Sequence, residues 1–270
     1  MSASVATVAP GPSPIHLVRH GTGSHLFVGI HGWSGSRNSF DPLLAHLPAD
    51  ASLITFDLPG FGAKDAECAS AVGRAHEPFV EPVHLALSTL EAETFTLVGS
   101  CGGAVVALEL LLEKKLPVER VVLIDPFAYA PWYFRIFALP LLGPLLYAMV
   151  FMNPLGRHLT NQGLVRHREG DTDLVEGFRE TRHDANLRYL RWMIGRGEES
   201  LHRYGCFEGR VDIIFGRRTF GAVRRSVEMW RKVWPGLVAF EIAGAGHIPV
   251  FEAPEAVADI VFRRREHHAL

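Results

Sequence analysis

The sequence predicts an α/β protein: a doubly wound, mostly parallel central sheet with a helical insertion. Three observations predict it. Short, continuously apolar runs alternate with helical stretches, as in a parallel sheet covered on both faces. One such run, Thr94–Val98, passes straight into Gly99-Ser100-Cys101-Gly102-Gly103 and an apolar helix, reading as strand, tight turn and helix. Between 127 and 206 the alternation stops and aromatic, helix-forming sequence replaces it.

Strands are expected at Ile15–Val18, His25–Ile30, Ser52–Phe56, Thr94–Val98, Arg120–Ile124, Val211–Phe215 and Leu237–Ile242. Helices are expected at Ser39–Leu47, Val80–Leu90, Cys101–Lys115, Ala222–Val233 and Pro254–Arg264. Ala104–Leu112 is apolar almost all round, so that helix belongs at the centre of the fold. Pro254 suits the first turn of the last helix, and Glu255 sits near its positive end. The basic run Arg263–Arg265 reads as a solvated helix end, favourable against the dipole. Met1–Pro14 is Ala, Ser and Pro without a basic leader or a long apolar run, which predicts a flexible tail and no secretory signal. The expected organisation is a tail over 1–14, a core over 15–126 and 207–270, and a helical cap over 127–206.

Composition bounds the function. At 270 residues, 48% apolar and 21% charged, the chain can bury one sizeable core and remain soluble. A formal net charge of −2 gives no electrostatic reason for a nucleic-acid partner. Three scattered cysteines (68, 101 and 206) form no disulfide framework and point to a reducing, cytoplasmic setting. His158, His167, His183 and His202 lack metal-ligand spacing, so neither metal nor cofactor is expected, and surface or cap positions are. Pro131–Met152 is long and apolar enough to raise a membrane question, but Arg135, Pro140, Gly143 and Pro144 break it into short helices. Its readings are packing against the core, an apolar acyl pocket touching membrane or a carrier protein, or a span.

The chemistry centres on Cys101. A nucleophile on a strained strand-to-helix turn leaves no room for side chains two residues before or after it, and Gly99 and Gly103 meet that demand. Centring the turn on Ser100 would place Val98 at the first of those positions, so the register favours Cys101. The plain alternatives are a buried structural cysteine beside a Gly-rich turn and a replaced serine. The backbone N–H of Gly102 would then point at a developing oxyanion. Near the C-terminus, Leu237–Ile242 runs into Ala243-Gly244-Ala245-Gly246-His247, placing a histidine on a Gly-flanked loop after the last strand, where a general base could fold back onto Cys101. Leu26–Ile30 ends in His31-Gly32-Trp33.

With these three motifs in this order, the chain from about Ile15 to Arg265 resembles the α/β-hydrolase superfamily, in its lipase, esterase and haloperoxidase-like branch. The cysteine box resembles those of dienelactone hydrolases and polyhydroxyalkanoate synthases. The resemblance implies a cap between the sixth and seventh strands and a triad running nucleophile, acid, histidine. It further implies His31 and Gly32 as shapers of the oxyanion loop, the Trp33 N–H as second oxyanion donor, and Asp57 as a structural turn residue. The acid is where the sequence departs. The usual Gly-x-x-Asp position reads Gly216-Arg217-Arg218-Thr219, and Thr219 carries no charge. Asp125, ending the run Val121–Ile124, stands at the alternative location. It is otherwise a strand-end residue bonding the next turn, and a Cys–His pair without an acid is the third option.

The leading reading is therefore a hydrolase of an activated ester, lactone or thioester, with Cys101 as nucleophile, His247 as base and Asp125 as orienting acid. The second is an acyltransferase or cyclising enzyme drawing on a carrier-bound or coenzyme A-bound thioester. The third, kept open by Thr219, is a non-catalytic fold that binds a small apolar ligand. The partner expected is a small acyl substrate, with peripheral membrane contact the lesser expectation.

Overall fold

A computed structural model describes residues 5–7, 15–61, 77–113, 115–179, 181–196 and 200–263. Eight strands form one sheet in the order β1-β2-β4-β3-β5-β6-β7-β8. They are β1 (Val5–Thr7), β2 (Val18–His20), β3 (His25–Ile30), β4 (Ala51–Thr55), β5 (Phe95–Ser100), β6 (Val118–Ile124), β7 (Arg210–Gly216) and β8 (Val238–Ile242). β2 pairs antiparallel with both β1 and β4 at one edge, and the pairings from β4 through β8 are parallel.

Both faces of the sheet are buried, as its unbroken apolar runs require. Val121 and Leu123 of β6 point into one apolar cluster, while Val122 and Ile124 point into the other. α1 (Asp41–Leu44) and α10 (Pro254–Val261) contribute Leu43, Val257 and Val261 to the second cluster. α2 (Glu81–Leu87) and α3 (Gly102–Leu112) cover the first. α3 buries residues on every side, as its apolar sequence predicts. α8 (Gly221–Val233) and the short α9 (Pro249–Glu252) complete the core helices.

The chain leaves β3 outward to β4 and returns on the other side of β3 as β5. This reversal opens a crevice at the carboxyl ends of β3 and β5, the usual place for a ligand in an open α/β sheet. Between β6 and β7 the chain is helical: α4 (Trp132–Ala138), α5 (Leu142–Tyr147), a π-helical turn (Ala148–Met152), α6 (Pro154–Gly163) and α7 (His183–Arg196). α4 and the helix running from Leu142 to Met152 meet at a bend of 110°, and among the described residues no single helix is long and apolar enough to cross a membrane.

Three sequence expectations need correction. The first strand pairs over Val18–His20 rather than Ile15–Val18. Ile15 and Leu17 are buried but precede the strand, while side-chain bonds from Arg19 to Ser52 and from His20 to Thr55 accompany the actual register. The expected tail over 1–14 contains a strand, because Val5–Thr7 adds to the free edge of β2. The helix expected over Ser39–Leu47 splits into a 3₁₀ turn, Arg37–Phe40, capped by Ser36, and the short α1. Cys68, Arg264 and Arg265 lie outside the described residues.

Candidate active site

The turn after β5 is the strained feature that the glycines foretell. Ser100 ends β5, and Cys101 adopts φ 50° and ψ −112°, an unfavourable region for a residue with a side chain. Its N–H bonds the Ile124 carbonyl at 2.8 Å, which ties the turn to β6. A Cβ at Gly103 would lie 2.0 Å from the Ile30 carbonyl oxygen, and one at Gly99 would lie 2.7 Å from the Ala104 backbone. Both residues must therefore be glycine for the helix to start where it does.

His247 closes on this turn. Its Nδ1 lies 2.8 Å from Asp125 Oδ2, which leaves Nε2 as the ring nitrogen available to the nearby Cys101. Phe220 and Phe127 pack edge-on against the ring at 4.6 and 5.7 Å between centroids. Burial alone would lower the pKa of this imidazole. The hydrogen bond to Asp125 and the nearness of Cys101 outweigh that and push it up to about 10.

Asp125 is fully buried at the end of β6, with φ 48° and its N–H bonded to the Ile214 carbonyl at 2.8 Å. Its Oδ1 accepts the Gly216 N–H at 3.1 Å, and its Oδ2 accepts both the Thr219 hydroxyl and His247. Burial pushes this carboxyl up; His247, Thr219 and Gly216 pull against that. Thr219 thus occupies the position where a carboxylate is usual and instead donates to the carboxylate that stands in its place. The sequence showed only that Thr219 carries no charge; its link to Asp125 needed the fold.

The other predicted residues gather here as well. His31 is completely buried. Its Nδ1 lies 2.9 Å from the Gly32 carbonyl and its Nε2 accepts the Leu58 N–H at 2.9 Å, so Nδ1 carries the proton and donates. Burial holds the His31 pKa below its ordinary value and the ring stays neutral, a brace for the loop after β3. A Cβ at Gly32 would lie 3.0 Å from the Cys101 Cβ, and one at Gly102 would lie 3.2 Å from the Trp33 backbone nitrogen. The backbones carrying the two expected oxyanion donors therefore run side by side next to the sulfur. Asp57 accepts the Arg37 N–H at 2.8 Å, a turn-holding role.

Sequence reasoning missed how the helical insertion is fastened to this loop. The Trp33 ring packs among Phe134, Phe151 and Phe178, at 4.8 to 5.6 Å between centroids. Its Nε1 donates to the Asn186 carbonyl at 3.0 Å, and Asn186 Oδ1 accepts the Ser34 N–H at 3.0 Å. Ser34 itself sits at φ 62°. On the other side, the His247 N–H bonds the His167 carbonyl at 2.8 Å. A lone histidine or asparagine in a helical stretch gives no hint of such contacts. Tyr133 and Tyr189 from the insertion stand near Cys101. Burial is the main cause that raises both phenols, and Tyr129 adds to it at Tyr133, which reaches about 12. Both therefore keep their protons, and the buried Tyr189 hydroxyl has no hydrogen-bond partner among the described residues. Among the described residues no group of three or more His, Cys, Asp or Glu side chains is gathered as a metal site would need.

Comparison with known proteins agrees with this architecture. The model of the alpha/beta hydrolase family matches residues 26–260. A serine hydrolase-like protein of Danio rerio is 29% identical over 103 residues, a match spanning 38% of this chain and 31% of that protein's length. The Cif epoxide hydrolase of Acinetobacter nosocomialis superposes with a TM-score of 0.73 at 16% identity, over 96% of this chain and 88% of that one. Epoxide hydrolase VrEH1 of Vigna radiata gives 0.70 at 18% identity, over 96% of each chain. At such identities the structural likeness concerns the fold.

Proposed function

The chain belongs to the alpha/beta hydrolase family, and we propose that within it this protein is a cysteine-dependent acyl hydrolase acting on an activated ester, lactone or thioester. The observation that carries the reading is one arrangement: Asp125 bonds His247 Nδ1 at 2.8 Å, and the His247 ring stands beside Cys101 at the strained turn. That is a nucleophile with its base, and a base with its orienting group.

In the proposed reaction His247 holds the proton given up by the Cys101 thiol, and the sulfur adds to the substrate carbonyl carbon. The carbonyl π pair moves onto oxygen, where the N–H groups of Trp33 and Gly102 stabilise it. The oxyanion collapses, the bond to the leaving group breaks, and the imidazolium returns its proton to that group. A thioester on Cys101 remains. Water then repeats the addition with His247 as base, releasing the acid and the thiol. Asp125 fixes the Nδ1–H tautomer and offsets the imidazolium charge, while Thr219 and Gly216 hold its carboxylate.

The same chemistry weighs against an epoxide substrate. Sulfur opening an epoxide would form a thioether, which has no carbonyl for water to attack, and the enzyme would stop after one turnover. Incubation with a panel of chromogenic esters and acyl thioesters, followed by intact-protein mass spectrometry, tests the reading. A gain of one acyl group on the Cys101 peptide, absent from Cys101→Ala, is the expected result. Turnover without Cys101 overturns it.

A further inference from the structure

The helical insertion has a second apolar face, pointing away from Trp33. On its inner side Tyr147 and Phe151 are buried under the Trp33 ring. On its outer side Leu142, Leu145, Met149 and Met152 recur at helical spacing and are 48, 59, 58 and 47% exposed. At the bend before α5, Leu141 is 92% exposed, and Trp132 at the start of α4 is 73% exposed. A helix apolar on both sides is normally covered on both sides.

Charge indicates what covers this one. The sequence from 126 to 168 contains no Asp or Glu but carries Arg135, Arg157, Arg166 and Arg168, in a protein whose formal net charge is −2. The apolar stripe has no hydrogen-bonding side chain, which acyl chains do not require and the polar rim of a protein partner does. α4 and the Leu142–Met152 helix together have the length and hydropathy of a membrane span, yet their 110° bend prevents a straight crossing. Helices of this composition lie in the plane of a bilayer surface, with tryptophan and basic residues at the headgroups.

We propose that this hairpin docks on an anionic phospholipid bilayer, its Leu–Met stripe toward the acyl chains and its arginines toward the headgroup phosphates. The proposal does not rest on the chemistry of Cys101, since vesicle binding is measured without turnover. The full 270-residue protein is sedimented with phosphatidylcholine vesicles made with and without phosphatidylglycerol. Binding to the anionic vesicles, weakened by salt, is expected. Leu145→Asp with Met149→Asp should weaken it at least about tenfold, and Arg135→Glu and Arg166→Glu about fivefold each. These positions face solvent, so circular dichroism should show folded variants. Should the charged variants fail to fold, brominated acyl chains should still quench the fluorescence that Trp132→Phe removes. Wild-type protein left in solution with both vesicle types overturns the proposal, as does undiminished binding by the double aspartate variant. It is equally overturned if light scattering finds a dimer that this variant splits, because a second copy then covers the stripe.

Discussion

Moving the acid from position 125 to position 219 gives the most searching experiment on the site. Asp125 Oδ2 lies 2.8 Å from His247 Nδ1, and Thr219 Oγ1 lies 3.4 Å from the same nitrogen. A carboxylate carried by residue 219 therefore starts within reach of the atom it must bind. Asp125→Asn removes the charge behind the imidazolium and can present an amide N–H to Nδ1, favouring the wrong tautomer. The equivalent change in a serine triad lowers kcat by ~10⁴. A thiol is the stronger nucleophile, so we expect a loss of about 10²-fold, or about 2.7 kcal/mol in the acylation barrier. Adding Thr219→Asp should recover at least about tenfold, near 1.4 kcal/mol. Thr219→Asp alone places two buried carboxylates together, so it should raise the pKa of one and lower stability and rate. Single-turnover acylation with a chromogenic ester, read beside thermal melts, separates these cases. The reasoning is refuted if Asp125→Asn acylates at the wild-type rate, or if the folded double variant is no faster than Asp125→Asn.

Three further outcomes are expected. Cys101→Ala should lose both turnover and the covalent adduct, while Ser100→Ala keeps activity; mass spectrometry and steady-state rates check this. The His247 ring should titrate near pH 10, and at a lower pH in Cys101→Ala, because Cys101 supplies part of the upward shift; nuclear magnetic resonance reads both midpoints. Because its folded pKa lies above the unfolded 6.5, the stability His247 contributes is complete below about pH 6.5 and fades as pH rises toward 10. Gly103→Ala should cost the fold about 10 °C in melting temperature or prevent soluble expression, since its Cβ would strike the Ile30 carbonyl. Gly221→Ala, with nothing within 4 Å, should be neutral or mildly stabilising.

Much of the sheet was legible because burial on both faces leaves an unambiguous apolar run, as at Val121–Ile124. Edges were less legible. Ile15 and Leu17 advertise burial, but hydrogen-bond pairing begins at Val18, where the visible signals are an arginine and a histidine. The elbow and the histidine loop announced themselves through glycines, whose necessity is steric and local. Thr219 shows the opposite case: its link to Asp125 spans two strand ends, and spacing along the chain contains no trace of it. The aromatic cluster around Trp33 likewise draws Phe134, Phe151 and Phe178 from three separate segments. Their identity was visible, but their convergence was a property of the folded insertion.

The fastening at the His247 loop constrains how substrate is admitted. The His247 N–H is held by the His167 carbonyl, and the Glu252 carboxylate accepts the N–H groups of both Glu169 and Gly246, at 2.6 and 2.7 Å. A Cβ at Gly246 would fall 2.2 Å from the His167 carbonyl oxygen, so the two backbones are in van der Waals contact. Lifting residues 167–169 would pull His247 away from Cys101 and so, under the proposed mechanism, stop the reaction. α4 and the Leu142–Met152 helix, by contrast, rest on Trp33 through aromatic edges, so a passage formed there leaves the His247 loop in place. Amide exchange should record this as a protected His247 N–H beside a faster-exchanging hairpin. The insertion would thus behave as a leaf hinged along the histidine loop, free only at the margin that carries Leu141.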